Sequence, residues 1–228
     1  MKILLATATN IEMKAIMDIF QLPENKHLIT KKIYYGSIEL SLLVSGIGPT
    51  AMACRTAKML SQESYDLLIN TGIAGAYSTA IKKGSMVHVT EEYFSDLGIV
   101  HDKNPITPIV EAVPQEYAHP YTDGKLINLH PFDNALIRSL PKVRGSTVHT
   151  VPTRYYPHHY APEVETMEGA GFFYCCLLHE VPFVQLRAIS NYTFEKRDTW
   201  DIPLALQQMT AFFTIFFTEL EKKQPPCD

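Results

Sequence analysis

"VETMEGAGFFYCC" (residues 164–176) sets two carboxylates, Glu165 and Glu168, at the head of an otherwise apolar run. Gly, Ala, Phe, Tyr and Cys follow, which reads as the start of a helix entering the core. Burying an unpaired carboxylate is costly, so Glu168, flanked by Met167, Gly169 and Ala170, needs a partner or a ligand. Around this stretch, strand-like and helical patterns alternate. Strand-like runs fall at 2–8, 32–46, 66–72, 85–94, 146–151 and 182–190. Helical patterns fall at 10–20 with Asn10 as cap, at 49–61 with Pro49 in the first turn, and at 132–139, 167–179 and 201–222. Such alternation predicts a mostly parallel sheet covered on both faces. The 32–46 run reads as a hairpin, which makes the sheet mixed. The fold class is therefore α/β: a single three-layer α/β/α domain over residues 1–228 with a central mixed sheet.

One segment, 96–131, resists the alternation. It carries Pro105, Pro108, Pro114, Pro120 and Pro131. It is expected to be a loop insertion or a lid. Composition excludes several functions. The chain has 228 residues, is 46% hydrophobic and carries a net charge of −4. That suffices for one large domain with a substantial core. No long basic run points to nucleic acid. No apolar stretch reaches the roughly 20 residues that span a bilayer. The opening "MKILLATATN" has too short an apolar run for a signal peptide and reads as a buried strand of a cytoplasmic protein. Cys54, Cys175, Cys176 and Cys227 show no metal-ligand spacing. The adjacent pair is expected to be reduced and packed in the core. No metal or organic cofactor is implied.

In open α/β sheets ligands gather at the carboxyl ends of the strands. Those ends lead into "TATNIE" with Glu12, "SGIGPT" (45–50), "TGIAGA" (71–76), the Tyr-rich stretch before Glu168, and "RAISNY" (187–192). Each has an ordinary explanation too. Glu12 in a first helical turn favours the macrodipole, the Gly-rich pieces serve as turns, and Asn191 can cap one. His158 and His159 suit a solvated loop.

The ordered set is more specific than its parts. "VSGIGPTAMA" (44–53), "LINTGIAGA" (68–76), "ETMEGAGFFYCC" (165–176) and "VPFVQLRAISN" (181–191) resemble the nucleoside phosphorylase and hydrolase superfamily, end to end and in its order. The closer likeness is to its hydrolytic branch, the methylthioadenosine/adenosylhomocysteine nucleosidases. "EEYFSDLGI" (91–99) and "AISNYTFEKRDTWDIPLAL" (188–206) are similar to the members of that branch that release hypoxanthine from futalosine in menaquinone biosynthesis. The resemblance implies a small-molecule nucleoside substrate and a homodimer or larger homo-oligomer. It also implies that Glu12 activates water, that Arg187 helps hold that water and the nearby acid, and that Glu168 holds the ribose hydroxyls over Met167. Ala74 and Gly75 fall in the matching Gly-rich segment beside the substrate. A phosphorylase is the competing reading. Its phosphate-site arginines have no counterpart in the two Gly-rich segments, so water is the expected nucleophile.

Departures from the branch sharpen the reading. Asn191 stands where the adenosine-type enzymes carry Asp. Its carboxamide has two N–H donors, which suit purine N7 and a 6-oxo group. Mismatched buried polar groups discriminate strongly, so Asn191 favours hypoxanthine over adenine. Ile73 replaces a Ser, which removes one polar contact near the water. For the 5′ side of the substrate, Arg154, Tyr155 and Tyr156 are candidates, with His158, His159, His101 and Lys103 as possible carboxylate partners. The apolar helix "LALQQMTAFFTIFF" suits an interface or burial within one chain.

Overall fold

The computed structural model describes residues 1–101, 104–108, 119–129, 132–151 and 160–223. The elements in chain order are β1 (Lys2–Thr7), α1 (Asn10–Met17), β2 (Thr30–Tyr35), β3 (Ile38–Val44), α2 (Pro49–Gln62), β4 (Leu67–Ala76), β5 (Met86–Glu92), β6 (Gly98–His101), β7 (Asn104–Pro108) and β8 (Leu126–Ile127). There follow α3 (Ala135–Arg138), β9 (Lys142–Thr147), β10 (Val164–Thr166), α4 (Gly169–Leu178), β11 (Phe183–Tyr192) and α5 (Ile202–Lys222).

The main sheet runs β10-β9-β5-β11-β4-β1-β3-β2, with β8 on β5. β1 lies parallel to β3 and β4, and β4 parallel to β11. The expected hairpin is present as β2 and β3, which pair antiparallel from Thr30↔Leu43 to Tyr35↔Ile38. β5 runs against β11, and β9 and β10 follow the direction of β5. β10 then pairs antiparallel with β4 at Val164↔Ala76 and Glu165↔Gly75. This last contact closes β4, β11, β5, β9 and β10 into a ring.

Both faces of the sheet are covered, and the alternation along β1 shows it. Ile3 and Leu5 pack with α1 and α5 through Met13, Ile16, Phe213 and Phe217. Leu4 and Ala6 pack on the other face with Met52 of α2 and Phe172 and Cys176 of α4. Cys175 is buried as well. The excess of apolar residues on α5 is largely absorbed within the chain. Ala205, Met209, Phe212, Phe213, Phe216, Phe217 and Leu220 all turn into the core, and Ile215 is left exposed.

Several local expectations shift. "TGIAGA" is not a loop: β4 continues to Ala76 because β11 pairs with it as far as Tyr192↔Ala76. "RAISNY" likewise stays within β11. The fifth strand lies at 142–147 rather than 146–151, fixed by pairing Val143 to Val89. It runs opposite to β4, so its carboxyl end does not share their edge. The segment 96–131 is not without structure where it is described. β6 and β7 form a separate hairpin, and β7 holds Pro105 and Pro108 as a strand with one partner, where proline is tolerated.

α2 and α4 approach each other at Gly171, where a Cβ would collide with the carbonyl oxygen of Pro49. Relief there requires the backbone to move. Gly171→Ala is expected to destabilise the protein by about 1–3 kcal/mol, as other overpacked cores do. Urea unfolding would show this as a lower midpoint at an unchanged slope.

Candidate active site

α1 presents Glu12 through its own cap. Thr9, not Asn10, is the N-cap. The Glu12 N–H donates to Thr9 Oγ1 at 3.3 Å, and the Thr9 N–H donates to Glu12 Oε2 at 3.0 Å. This is a capping box, and its sequence signature, T-x-x-E at residues 9–12, was there to be read. Asn10 instead donates to the Lys26 carbonyl at 3.0 Å. The other oxygen, Glu12 Oε1, accepts from the Ile73 N–H at 3.0 Å. This bond comes from the main chain and does not depend on the side chain at position 73, where the Ser-to-Ile departure falls. The acid reaches this position because residue 72 is glycine: a Cβ there would collide with Glu12 Oε1 and lie 2.8 Å from Arg187 Nη1.

Arg187 projects from β11 and is 1% exposed. Its Nη2 lies 4.0 Å from Glu168 Oε2. Nε and Nη2 have no acceptor among the described residues. Buried donors of this kind demand an acceptor, and the oxygen of an attacking water would meet that demand.

Glu168 is the residue that precedes α4, and it is buried. Its Oε1 accepts from the Gly48 N–H at 3.1 Å. Gly46 and Gly48 have φ of 83° and 99°, so the "SGIGPT" segment is a true glycine turn that aims an amide at the acid. Burial pushes the Glu168 carboxyl above its ordinary range. Arg187 pulls it back and the charge of Glu12 pushes it further up. A buried carboxylate with spare acceptor capacity is suited to hydroxyl donors of a sugar.

Asn191 follows a bulge in β11 and faces Gly75 across the pairing with β4. Ser190 Oγ donates to Asn191 Oδ1 at 2.7 Å, and Asn191 Nδ2 donates to the Tyr192 carbonyl at 3.2 Å. A carbonyl only accepts, so the amide nitrogen must face it. That leaves one N–H of Asn191 for a ligand, not the two expected from the residue type. Ala74 and Gly75 are buried beside it in β4, and Met167 is half-buried just before Glu168. Arg154, Tyr155, Tyr156, His158, His159 and Lys103 lie outside the described residues, as does the side chain of His101.

The site thus joins two buried carboxylates, a guanidinium and an amide donor at the β4–β11 edge. Such a set suits cleavage of a ribosyl C–N bond through an oxocarbenium-like transition state. In such a reaction one carboxylate can take a proton from water, a second can hold ribose hydroxyls as positive charge develops, and an amide can donate to the departing base.

Comparison with known proteins agrees with this chemistry. The sequence pattern of the phosphorylase superfamily matches residues 2–220, and the chain belongs to that superfamily. Within it, the chain is a nucleosidase of the group formed by the methylthioadenosine/adenosylhomocysteine nucleosidases and the futalosine hydrolases. It is 31% identical over 179 residues to the 5′-methylthioadenosine/S-adenosylhomocysteine nucleosidase of Anoxybacillus flavithermus, covering 69% of this chain and 71% of the relative. It is 27% identical over 235 aligned positions to the futalosine hydrolase of Streptomyces coelicolor, covering 92% of each. A mutant nucleosidase of Helicobacter pylori, crystallised with 5′-methylthioadenosine in its active site, shares the fold with a TM-score of 0.74 at 17% identity, over 96% of this chain and 98% of that one.

Glu12→Gln keeps a residue that can close the capping box but removes the base. A fall in kcat of about 10²–10⁴ is expected, with the far-ultraviolet circular dichroism unchanged.

Proposed function

We propose that this nucleosidase hydrolyses the N-ribosidic bond of futalosine and releases hypoxanthine. The observation that carries the reading is Asn191. Its oxygen accepts from Ser190, and its nitrogen, bonded to the Tyr192 carbonyl, lies beside Gly75 of β4, so the group offered to a base is a donor. Purine N7 accepts in either kind of base, so the choice falls at position 6. A 6-oxo group accepts the remaining N–H, whereas a 6-amino group brings a second donor to an oxygen already engaged by Ser190. The Streptomyces coelicolor relative, matched over 92% of both chains, supports the same choice. The 5′ aryl carboxylate of futalosine is assigned to Arg154 and Tyr155. The enzyme works in the cytoplasm as a homodimer or larger homo-oligomer, without a metal or organic cofactor.

The second reading is a methylthioadenosine/adenosylhomocysteine nucleosidase, favoured by the Anoxybacillus flavithermus relative. Free-base release from futalosine, inosine and methylthioadenosine in phosphate-free buffer separates the two. Rapid hypoxanthine from futalosine is expected. Adenine from methylthioadenosine as the preferred product would overturn the reading of Asn191, and a requirement for phosphate would overturn hydrolysis.

Asn191→Asp restores an acceptor beside the base. It is expected to lower the ratio of kcat/KM for futalosine over methylthioadenosine by at least about 10-fold, since unmatched buried polar groups discriminate at this scale or more.

A further inference from the structure

Glu92 is fully buried inside the ring of strands, at the end of β5, and the chemistry above does not use it. Its carboxylate collects three donors. Gln185 Nε2 donates to Oε1 at 2.7 Å, Thr166 Oγ1 to Oε1 at 3.3 Å, and Thr147 Oγ1 to Oε2 at 2.9 Å. Each threonine also receives an amide from the first turn of α4. The Gly169 N–H donates to Thr166 Oγ1 at 3.2 Å and the Ala170 N–H to Thr147 Oγ1 at 2.7 Å. With one lone pair turned to each amide, both hydroxyls can donate to Glu92, and they lie 3.3 Å from each other. The arrangement leaves no room for error: a Cβ on Gly169 would collide with Glu92 Oε1. The residue before these two amides is Glu168.

We infer that Glu92 is a positioning residue: through Thr147 and Thr166 it fixes the head of α4 and so holds Glu168 against Gly48 and Arg187. The inference rests on the role of Glu168 as the ribose-holding acid. All three donors serve the ionised carboxylate directly, whereas protonation reverses one of the threonine bonds and redirects that threonine's hydroxyl to its neighbour, 3.3 Å away. Activity is therefore expected to follow the ionised form.

Burial moves Glu92 from its ordinary 4.5 to about 7, and its hydrogen bonds and the charge of Arg187 work against that rise. Arg187 on β11 is the charged group that acts on it from a neighbouring strand. β9, β10 and Gln185 present neutral groups, and Glu91 on its own strand is paired with Lys125. Because the folded state holds this proton more tightly than the unfolded chain, ionising Glu92 costs stability as pH rises from 4.5 to about 7. Above that range a neutral glutamine removes the cost.

The test is the pH profile of kcat/KM for wild type and Glu92→Gln, on whichever of the three nucleosides the wild type cleaves, with melting curves on the alkaline side. Wild type is expected to lose activity as pH falls through neutrality. Glu92→Gln is expected to have that limb moved to lower pH, leaving the part set by Glu168, to lose about 10- to 10²-fold of kcat/KM on the alkaline side, as misplaced catalytic groups do, and to melt no lower than wild type there. A variant profile that superimposes on the wild type, or one that loses activity and stability together, overturns the inference. Should Glu92→Gln not fold, Thr166→Val takes its place. A loss of similar size restored by Thr166→Ser supports the inference, and unchanged kcat/KM overturns it. Should wild type cleave none of the nucleosides, the functional proposal fails separately. Hydrogen exchange of the peptide holding Gly169 and Ala170 then decides. Protection that strengthens from the acid to the alkaline side of neutrality in wild type and is flat in Glu92→Gln supports the role of Glu92, and equal profiles overturn it.

Discussion

Two residue pairs, Val164 with Ala76 and Glu165 with Gly75, hold the site together. β9 runs away from the edge at which β4 and β11 end. Only because β10 turns back onto β4 does the chain arrive beside Arg187 when it reaches Glu168. The ring so formed buries Asn70, Gln185, Arg187 and Glu92, a polar interior in an otherwise apolar sheet. Such an interior is tolerable because most of its groups find one another: Asn70 donates to Gln185 at 3.0 Å, and Gln185 donates in turn to Glu92.

The electrostatic problem is one of supply. Among the described residues, Glu12, Glu92 and Glu168 share the neighbourhood of one buried guanidinium, Arg187. Its charge acts on both Glu92 and Glu168. The shortfall is covered by dipoles rather than by cations. Amides of Thr9, Gly48 and Ile73 and the hydroxyls of Thr147 and Thr166 supply hydrogen bonds without adding charge. That leaves the guanidinium with donors free for a reacting oxygen. A neutral, preorganised surround of this kind favours a transition state that develops positive charge on the sugar between carboxylates.

Much of the fold was legible because it follows from local periodicity. The alternation of strands and helices, the β2–β3 hairpin and the glycine turn before α2 can be read from neighbours in the chain. Glu168 was legible for a different reason, as a charge in apolar company. What escaped depends on partners far away in sequence. "TGIAGA" has the composition of a turn, and only its pairing with β11 keeps it extended. Glu92 sits in "EEY", where two adjacent acids look like solvated surface. A strand alternates its faces, so Glu91 points to Lys125 while Glu92 points inward, to groups 55 and 93 residues on in the chain. Asn191 was legible as a donor, yet its bond to the Tyr192 carbonyl, which halves what it can offer, came from a bulge no pattern announced.

The way Glu12 is held bears on how such an enzyme can drift. A bond made by a peptide N–H does not depend on which side chain that residue carries. Ile73 anchors the acid as its main chain would with serine, valine or threonine in its place. The side-chain constraints fall instead on two small residues that do no chemistry, Thr9 for its cap and Gly72 for its missing Cβ. Side chains along β4 are therefore open to change without disturbing the hold on Glu12, so a family built this way can alter that face of the strand and keep the acid in place.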